Sequence, residues 1–427
     1  MSLPSLRPIL SSRFFSCAAV ILFLAVSAGA VQHIFQIAAI DGSLEDSWIL
    51  GDFRAHGYYA ALALREGINP YDAPTFLRRY PVGGVPFGPY SPLQPLFFMP
   101  FTLLSVRHAD FLYIAITCML PLLLSWLAIR LANIRPTVTG VFLLGAFLTA
   151  SRPGYWGLVN GQFGMLETVF TYLVLLGCRT GKLSLSVCGV FLTLMKPSFG
   201  GPLLVLLAAR REFRTLWWVA GVAAPILVFP VAMWIFSHGL GTTAGLAVRL
   251  ASNWMALLGN PHIIPERADI LSLIIRLAGR PVPGLVQLAA TAALLLAGSA
   301  MARWHALQTD RRLHAMGDAI SCVTILACIY HGTYDAVLLA LPLVLLLARG
   351  QWPAERVGRW PRWVLATAVL ILFANYTPNH MTDWFGQAPN SPLYKLAAML
   401  NGLVMTVVFV TCGIATLSAA CRRQASP

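Results

Sequence analysis

Charge is what this chain has least of. Asp, Glu, Lys and Arg make up 11% of its 427 residues, where a soluble domain carries about 25%. That deficit excludes a water-soluble domain of ordinary size. Acidic residues are scarcer still, 16 against 30 Lys and Arg, for a net charge of +14. Such an excess would suit a nucleic-acid partner if it formed one continuous surface. Instead the arginines fall in short clusters between apolar runs, as basic residues do at the cytoplasmic ends of membrane helices, and no nucleic-acid partner is expected. The eight cysteines include no CxxC pair, so neither a zinc site nor a disulfide framework is implied. There is no glycine-rich nucleotide loop. No cofactor or metal is required, although Asp41, Glu45 and Asp46 form an acidic group able to hold a divalent ion.

What is present is apolar sequence. Hydrophobic residues are 58% of the chain and the mean hydropathy is +0.72. A straight membrane helix needs about 20 apolar residues. Spans are read near 16–40, 111–131, 137–150, 163–178, 183–195, 197–209, 215–236, 283–303, 315–331, 333–348, 362–379 and 393–418. The expected fold is an all-α integral membrane bundle of about 12 transmembrane helices, forming one domain over 1–427. The first apolar stretch exceeds the ~7–15-residue core of a signal peptide, so an uncleaved first helix is expected.

The basic residues orient the bundle. With the N-terminus inside, every expected inner loop is basic, from Arg7 and Arg13 through Arg130 and Arg135, Arg179 and Lys182, and Arg210, Arg211 and Arg214 to Arg422 and Arg423. That pattern is the positive-inside rule. On that pattern both termini are expected in the cytoplasm, and the chain is expected to be a multi-pass protein of the plasma (inner) membrane. The carboxylates divide the other way: Asp52, Glu66, Asp72, Asp110, Asp269, Asp335 and Asp383 fall outside, and Glu212, Asp310, Asp318 and Glu355 inside. Acidic residues contribute little to topology, so their outward bias points to a site on the periplasmic face.

The segment 41–107 reads as a long periplasmic loop with surface helices. A helical pattern covers Phe53 to Leu64, Gly67 stops it, and Asn69-Pro70 forms a turn. Tyr80 to Pro95 carries too many prolines and glycines for regular structure, and Leu96 to Leu104 is apolar but too short to span. Long ordered loops of this kind are commonly functional.

Three further polar islands land on the same side. Residues 183–195 and 197–209 are joined at Met195-Lys196-Pro197-Ser198 without a polar loop; such short arms suit a hairpin with Lys196 at its tip. A lysine there either snorkels to the interface or is paired within a functional site. The tip Ile329-Tyr330-His331-Gly332-Thr333-Tyr334-Asp335 sets a His and an Asp four apart, on one face if helical. A His beside a carboxylate serves as a general base or as a structural hydrogen-bonded pair. In the third, Ser151 to Gln162, the side chains of Arg152, Asn160 and Gln162 suit phosphate or sugar hydroxyls, while Tyr155 and Trp156 read first as an interfacial belt.

Taken in order, Asp52-Phe53, Tyr58-Tyr59-Ala60-Ala61 and Gly67-Ile68-Asn69-Pro70-Tyr71-Asp72 resemble the first outer loop of GT-C-fold glycosyltransferases. They are similar in particular to glycosyltransferase family 87, the polyprenyl-phosphate-mannose-dependent mannosyltransferases. Tyr90-Ser91-Pro92-Leu93 through Pro100, the Asn160-Gly161-Gln162 turn, the Lys196-Pro197 hairpin and the His331-to-Asp335 tip continue the resemblance, which runs from about Asp52 to Pro342. Ser91 stands where the family often has proline, and His331-Gly332-Thr333-Tyr334 falls where members vary; acceptor and sugar stay open there. The resemblance implies a GT-C-like domain and a hexosyltransferase. It would move a hexose, mannose first, from a polyprenyl-phosphate donor to a lipid or glycan acceptor, with inversion, among membrane lipids and without a cofactor. It implies acceptor activation by Asp52, with His331, oriented by Asp335, as the competing base. Lys196 and Arg152 would clamp the donor phosphate, and Asn160, Gln162 and Tyr71 would bind substrate. The alternatives are a lipid or glycolipid flippase, which would show inverted repeats that this sequence lacks, and an envelope polymerase or ligase using the same surface.

Overall fold

A backbone in lipid must satisfy its own hydrogen bonds, which makes a chain this apolar helical. The computed structural model describes residues 13–40, 48–80, 87–88, 90–239, single positions between 241 and 252, 267–348, 351–352, 357–376 and 391–424. Among the described residues the regular structure is all helical, with one isolated bridge between Arg267 and Gly332. Arg7, the acidic group Asp41, Glu45 and Asp46, and Glu355 and Asp383 lie outside the described residues.

The first long helix, α1, is Arg13–Ile40. A π-helical turn, Phe53–Tyr58, runs directly into α2, Tyr59–Arg65, over the stretch expected to be helical. Gly67 ends it at φ +74°, a left-handed conformation that costs glycine nothing. Asn69 Oδ1 then accepts from the Tyr71 N–H at 3.0 Å, making the expected turn. Next come α3, Ala73–Arg79, and α4, Leu93–Phe98, extended by a 3-10 turn, Met99–Leu103. The bundle proper begins with α5, Val106–Leu131, and α6, Val138–Ala150. The short α7, Arg152–Val159, and α8, Gly164–Thr180, meet at 119°. The hairpin of α9, Leu183–Thr193, and α10, Pro197–Ala209, follows, and then α11, Phe213–His238. The amphipathic α12, Ile270–Ala278, had no counterpart among the expected spans. Beyond it lie α13, Gly284–Ala306, and α14, Arg311–Cys328. A 3-10 turn, Thr333–Leu339, leads into α15, Ala340–Leu347, and the chain closes with α16, Trp360–Ala374, and α17, Pro392–Gln424.

Among the described residues, α1, α5, α13 and α17 are long and apolar enough to cross a membrane, and the bent pair α7–α8 makes a fifth if counted as one span. The expected spans are therefore present as helices, but not all reach span length. At 1.5 Å per residue, a helix of 13 residues, such as α6 or α10, extends about 20 Å, short of a hydrocarbon core of about 30 Å. In α14, Arg311, Arg312 and Asp318 break the apolar run.

Two apolar cores organise the chain. The larger joins α5, α8, α9, α10 and α14 to α17. The smaller gathers the π turn and α2 to α4 against α1, α5 and α7. Outward residues such as Ile21, Leu22, Leu288 and Leu296 remain exposed, the surface a lipid solvent covers. Charged groups lie at both ends of α8. At its C-terminal end Arg179 and Arg210 both pair with the buried Asp318, Arg210 Nη1 at 2.7 Å; the other end carries the site.

Candidate active site

Four segments distant in sequence meet at the Gly164 end of α8. The first two are sewn together by backbone. Leu50 N–H donates to the Val159 carbonyl at 2.8 Å and Asp52 N–H to the Asn160 carbonyl at 3.0 Å. The seam is tight: Gly161 sits at φ +69°, and a Cβ there would lie 2.9 Å from Phe53 Cβ and 3.0 Å from Leu50 Cα. Only glycine fits. The turn it makes points Gln162 back at the start of the π helix, where Gln162 Nε2 donates to Asp52 Oδ2. His56 Nε2 stands 3.4 Å from the other carboxylate oxygen. Asn160 thus contributes its backbone carbonyl to the seam.

Lys196 is carried by the hairpin, just before Pro197 opens α10. It does not snorkel. It is 4% exposed, and its ammonium donates to both oxygens of Asp335, at 2.7 and 2.8 Å. The rings of Phe199 and Tyr334 each lie 5.2 Å from the same nitrogen. A buried ammonium persists only with such compensation.

The fourth segment is the tip after α14. Helix continuity fails there: Ile329 is extended and Gly332 holds φ −73°, ψ 161° before the 3-10 turn. His331 and Asp335 still meet, Nδ1 to Oδ2 at 2.9 Å, because the tight 3-10 turn brings Asp335 back. With the Asp335 carboxylate accepting from Nδ1–H, Nε2 is the ring nitrogen left to face the site. That Nε2 is buried without a hydrogen-bond partner, and the edge of Phe199 packs on the ring at 4.9 Å. The tip is stapled from outside by Ala268, whose N–H donates to the His331 carbonyl at 2.9 Å. Beside it Arg267 clasps Asp269 at 2.8 and 2.9 Å.

Tyr90 links the halves. Ser91 N–H donates to the Met195 carbonyl at 2.9 Å, fixing this loop to the hairpin, and the Tyr90 ring lies 5.0 Å from His56. Burial, reinforced by the charges of Asp52 and Asp335, pushes its phenol well above the usual range, so it stays a neutral hydroxyl. Tyr90 thus stands between the Asp52 segment, through His56, and the hairpin that carries Lys196. Tyr71 supports it from behind, donating to the Tyr90 carbonyl at 2.8 Å. Arg152 is fully buried at the start of α7, alongside Tyr376, not at the Asn160 end of that helix.

Two residues of this group were not singled out from the sequence. His56 follows Asp52 by four, the helical spacing that brings two side chains together. Glu167 stands in the first turn of α8 and is fully buried, with the backbone of Lys196 its nearest polar neighbour. A lone acid in an otherwise apolar helix was its signal. Among the described residues no three His, Cys, Asp or Glu are grouped to hold a metal ion.

The match to known proteins is one of family. Residues 89–331, more than half of the chain, match the family model Glycosyltransferase family 87. That stretch takes in Tyr90, Arg152, Asn160, Gln162, Glu167, Lys196 and His331, while Asp52, Tyr71 and Asp335 lie beyond it. No curated protein and no solved structure matches the chain.

Proposed function

Because the chain belongs to glycosyltransferase family 87, we propose that it moves a hexose, mannose first, from a polyprenyl-phosphate donor to a hydroxyl of a lipid or glycan acceptor. The site would lie at the periplasmic face of the plasma membrane. The acceptor oxygen attacks the anomeric carbon from the side opposite the phosphate. As that bond forms, the bond from the anomeric carbon to the phosphate oxygen breaks and polyprenyl phosphate leaves with the electron pair. The acceptor proton passes to Asp52, and the sugar is inverted.

One observation carries the assignment of Asp52. Of the ionisable side chains gathered here, Asp52 keeps 25% of its side chain open, against 7% for His56, 5% for Lys196 and none for His331 or Asp335. A base must reach the hydroxyl it deprotonates, and the outermost carboxylate is the one an incoming acceptor meets. Gln162 and His56 hold it in place. Lys196, Asp335 and His331 are assigned to the donor: the ammonium faces the leaving phosphate as a fixed charge, and Asp335 orients both it and the imidazole. Arg152, buried beside Tyr376, is left out of the clamp. A second reading rests on His331 Nε2, a buried nitrogen without a hydrogen-bond partner, which would make His331 the base.

The test is transfer of label from radiolabelled polyprenyl-phosphate-mannose into a new product by purified protein in lipid with envelope extract. Pentose and other hexose donors follow if mannose fails. Lipid scrambling in vesicles with no transfer from any donor would replace this reading with a flippase.

A further inference from the structure

Beside the proposed acceptor position stands an aromatic surface that the transfer chemistry leaves unused. Trp48 and Trp156 stack with ring centroids 6.1 Å apart and planes 28° from parallel. Both residues are tied to the seam that carries Asp52 through their backbone carbonyls. The Trp48 carbonyl accepts from Gly51 N–H at 3.0 Å, closing a turn onto Asp52. The Trp156 carbonyl accepts from Asn160 N–H at 3.0 Å, and Asn160 in turn accepts from Asp52. Trp156 is half-buried and backed by the edge of Tyr155 at 5.9 Å, while Trp48 is 51% exposed. Tyr155 is itself held by a hydrogen bond to His33 of α1.

The backbone that carries these two rings also forms the seam at Asp52, so the stack is held at a fixed place relative to that carboxylate. Trp217 and Trp363, also exposed, stand on helices away from the site and suit the role of interface anchors. Trp48 instead is one turn from Asp52, and a partner ring fixes its plane. A rigid, amphipathic, exposed aromatic face beside a carboxylate is the surface a pyranose takes: its C–H face lies on the ring while its hydroxyls reach polar groups at the edge.

We infer that the Trp48–Trp156 stack is a sugar-binding subsite, which holds a pyranose unit of the acceptor so that its hydroxyl is presented to Asp52. This rests on the reading of Asp52 as the acceptor-facing group, but the subsite is testable without turnover. Stacking is tolerant of hydroxyl configuration, so the subsite accepts more than one hexose.

Saturation-transfer NMR with methyl α-D-mannopyranoside and methyl α-D-glucopyranoside, on full-length protein in nanodiscs without donor, reads the contact directly. Ring-proton signals are expected for both sugars with wild type. Trp48→Ala should weaken binding by roughly three- to tenfold, the loss of one aromatic stacking contact, and Trp48→Phe should restore most of it. Trp156→Tyr controls against misfolding and should reduce binding less than Trp48→Ala. Equal signals for wild type and Trp48→Ala would overturn the subsite. So would an effect of Trp48→Ala on nanodisc insertion with sugar contact unchanged, the mark of an interface anchor. Absence of transferase activity alongside Trp48-dependent sugar contact would defeat the transfer reading and leave the sugar site standing.

Discussion

Lys196 and Asp335 are 139 residues apart in sequence, and the ammonium donates to both carboxylate oxygens, at 2.7 and 2.8 Å, with neither side chain more than 5% exposed. The pair locks the tip of the α9–α10 hairpin to the tip after α14 and fixes His331 through the same carboxylate.

Breaking that pair on one side leaves a buried charge uncompensated. Lys196→Met should lower stability by about 3–5 kcal/mol and abolish transfer. Lys196→Met combined with Asp335→Leu should recover much of the stability and none of the activity. Unfolding in detergent followed by tryptophan fluorescence, beside the transfer assay, separates the two effects.

The other charged cluster gives the converse result. Asp318 is shared by Arg179 and Arg210 at the far end of α8. Asp318→Ala strands two cations and should cost about 3–5 kcal/mol. Activity per folded molecule should survive, because nothing in that cluster touches the proposed substrates.

Gly161 makes the seam between Asp52 and Gln162 possible. Gly161→Ala meets both the positive φ and the contacts with Phe53 and Leu50, and should cost about 1–3 kcal/mol in backbone strain. Transfer should fall further than stability, since the displaced seam carries Asp52. Comparing thermal midpoints with turnover checks the difference.

In the loop, the Tyr80 hydroxyl donates to Glu66 at 2.8 Å and, with Arg79, holds its carboxyl below the usual carboxylate range. Burial and Glu66 push the Tyr80 phenol up to about 12. A depressed folded-state value means the contact stabilises above the unfolded carboxylate value of about 4.3 and is lost as pH falls through the folded one. Protease cleavage within 59–80 should therefore rise on acidification below that point. Glu66→Gln should raise the cleavage at neutral pH and flatten its pH dependence.

Much of this was legible in the sequence. Apolar run lengths and the Pro197 break located the α9–α10 hairpin with Lys196 at its tip, and turn chemistry at Gly67 and Asn69 ended α2 where the structure ends it. The apolar runs already marked α6, α9 and α10 as shorter than a span, but hydropathy does not encode depth or tilt. Pairings between distant segments are equally silent in local pattern. Nothing near Arg179 or Arg210 announces Asp318, and nothing near Lys196 shows whether it snorkels or binds Asp335. His331 and Asp335 met as their spacing suggested, but through a 3-10 turn and not a helix, the backbone being extended at Ile329 and Gly332.

The role of Asp52 is tested most directly by single-turnover transfer from a radiolabelled polyprenyl-phosphate-sugar to acceptor, comparing wild type, Asp52→Asn and His331→Ala in nanodiscs at saturating donor. Asp52→Asn should slow transfer by roughly 10²–10⁴-fold, the contribution of a general base, with donor binding unchanged, while His331→Ala weakens donor binding. Transfer undiminished in Asp52→Asn and lost in His331→Ala with donor still bound would contradict the assignment and make His331 the base.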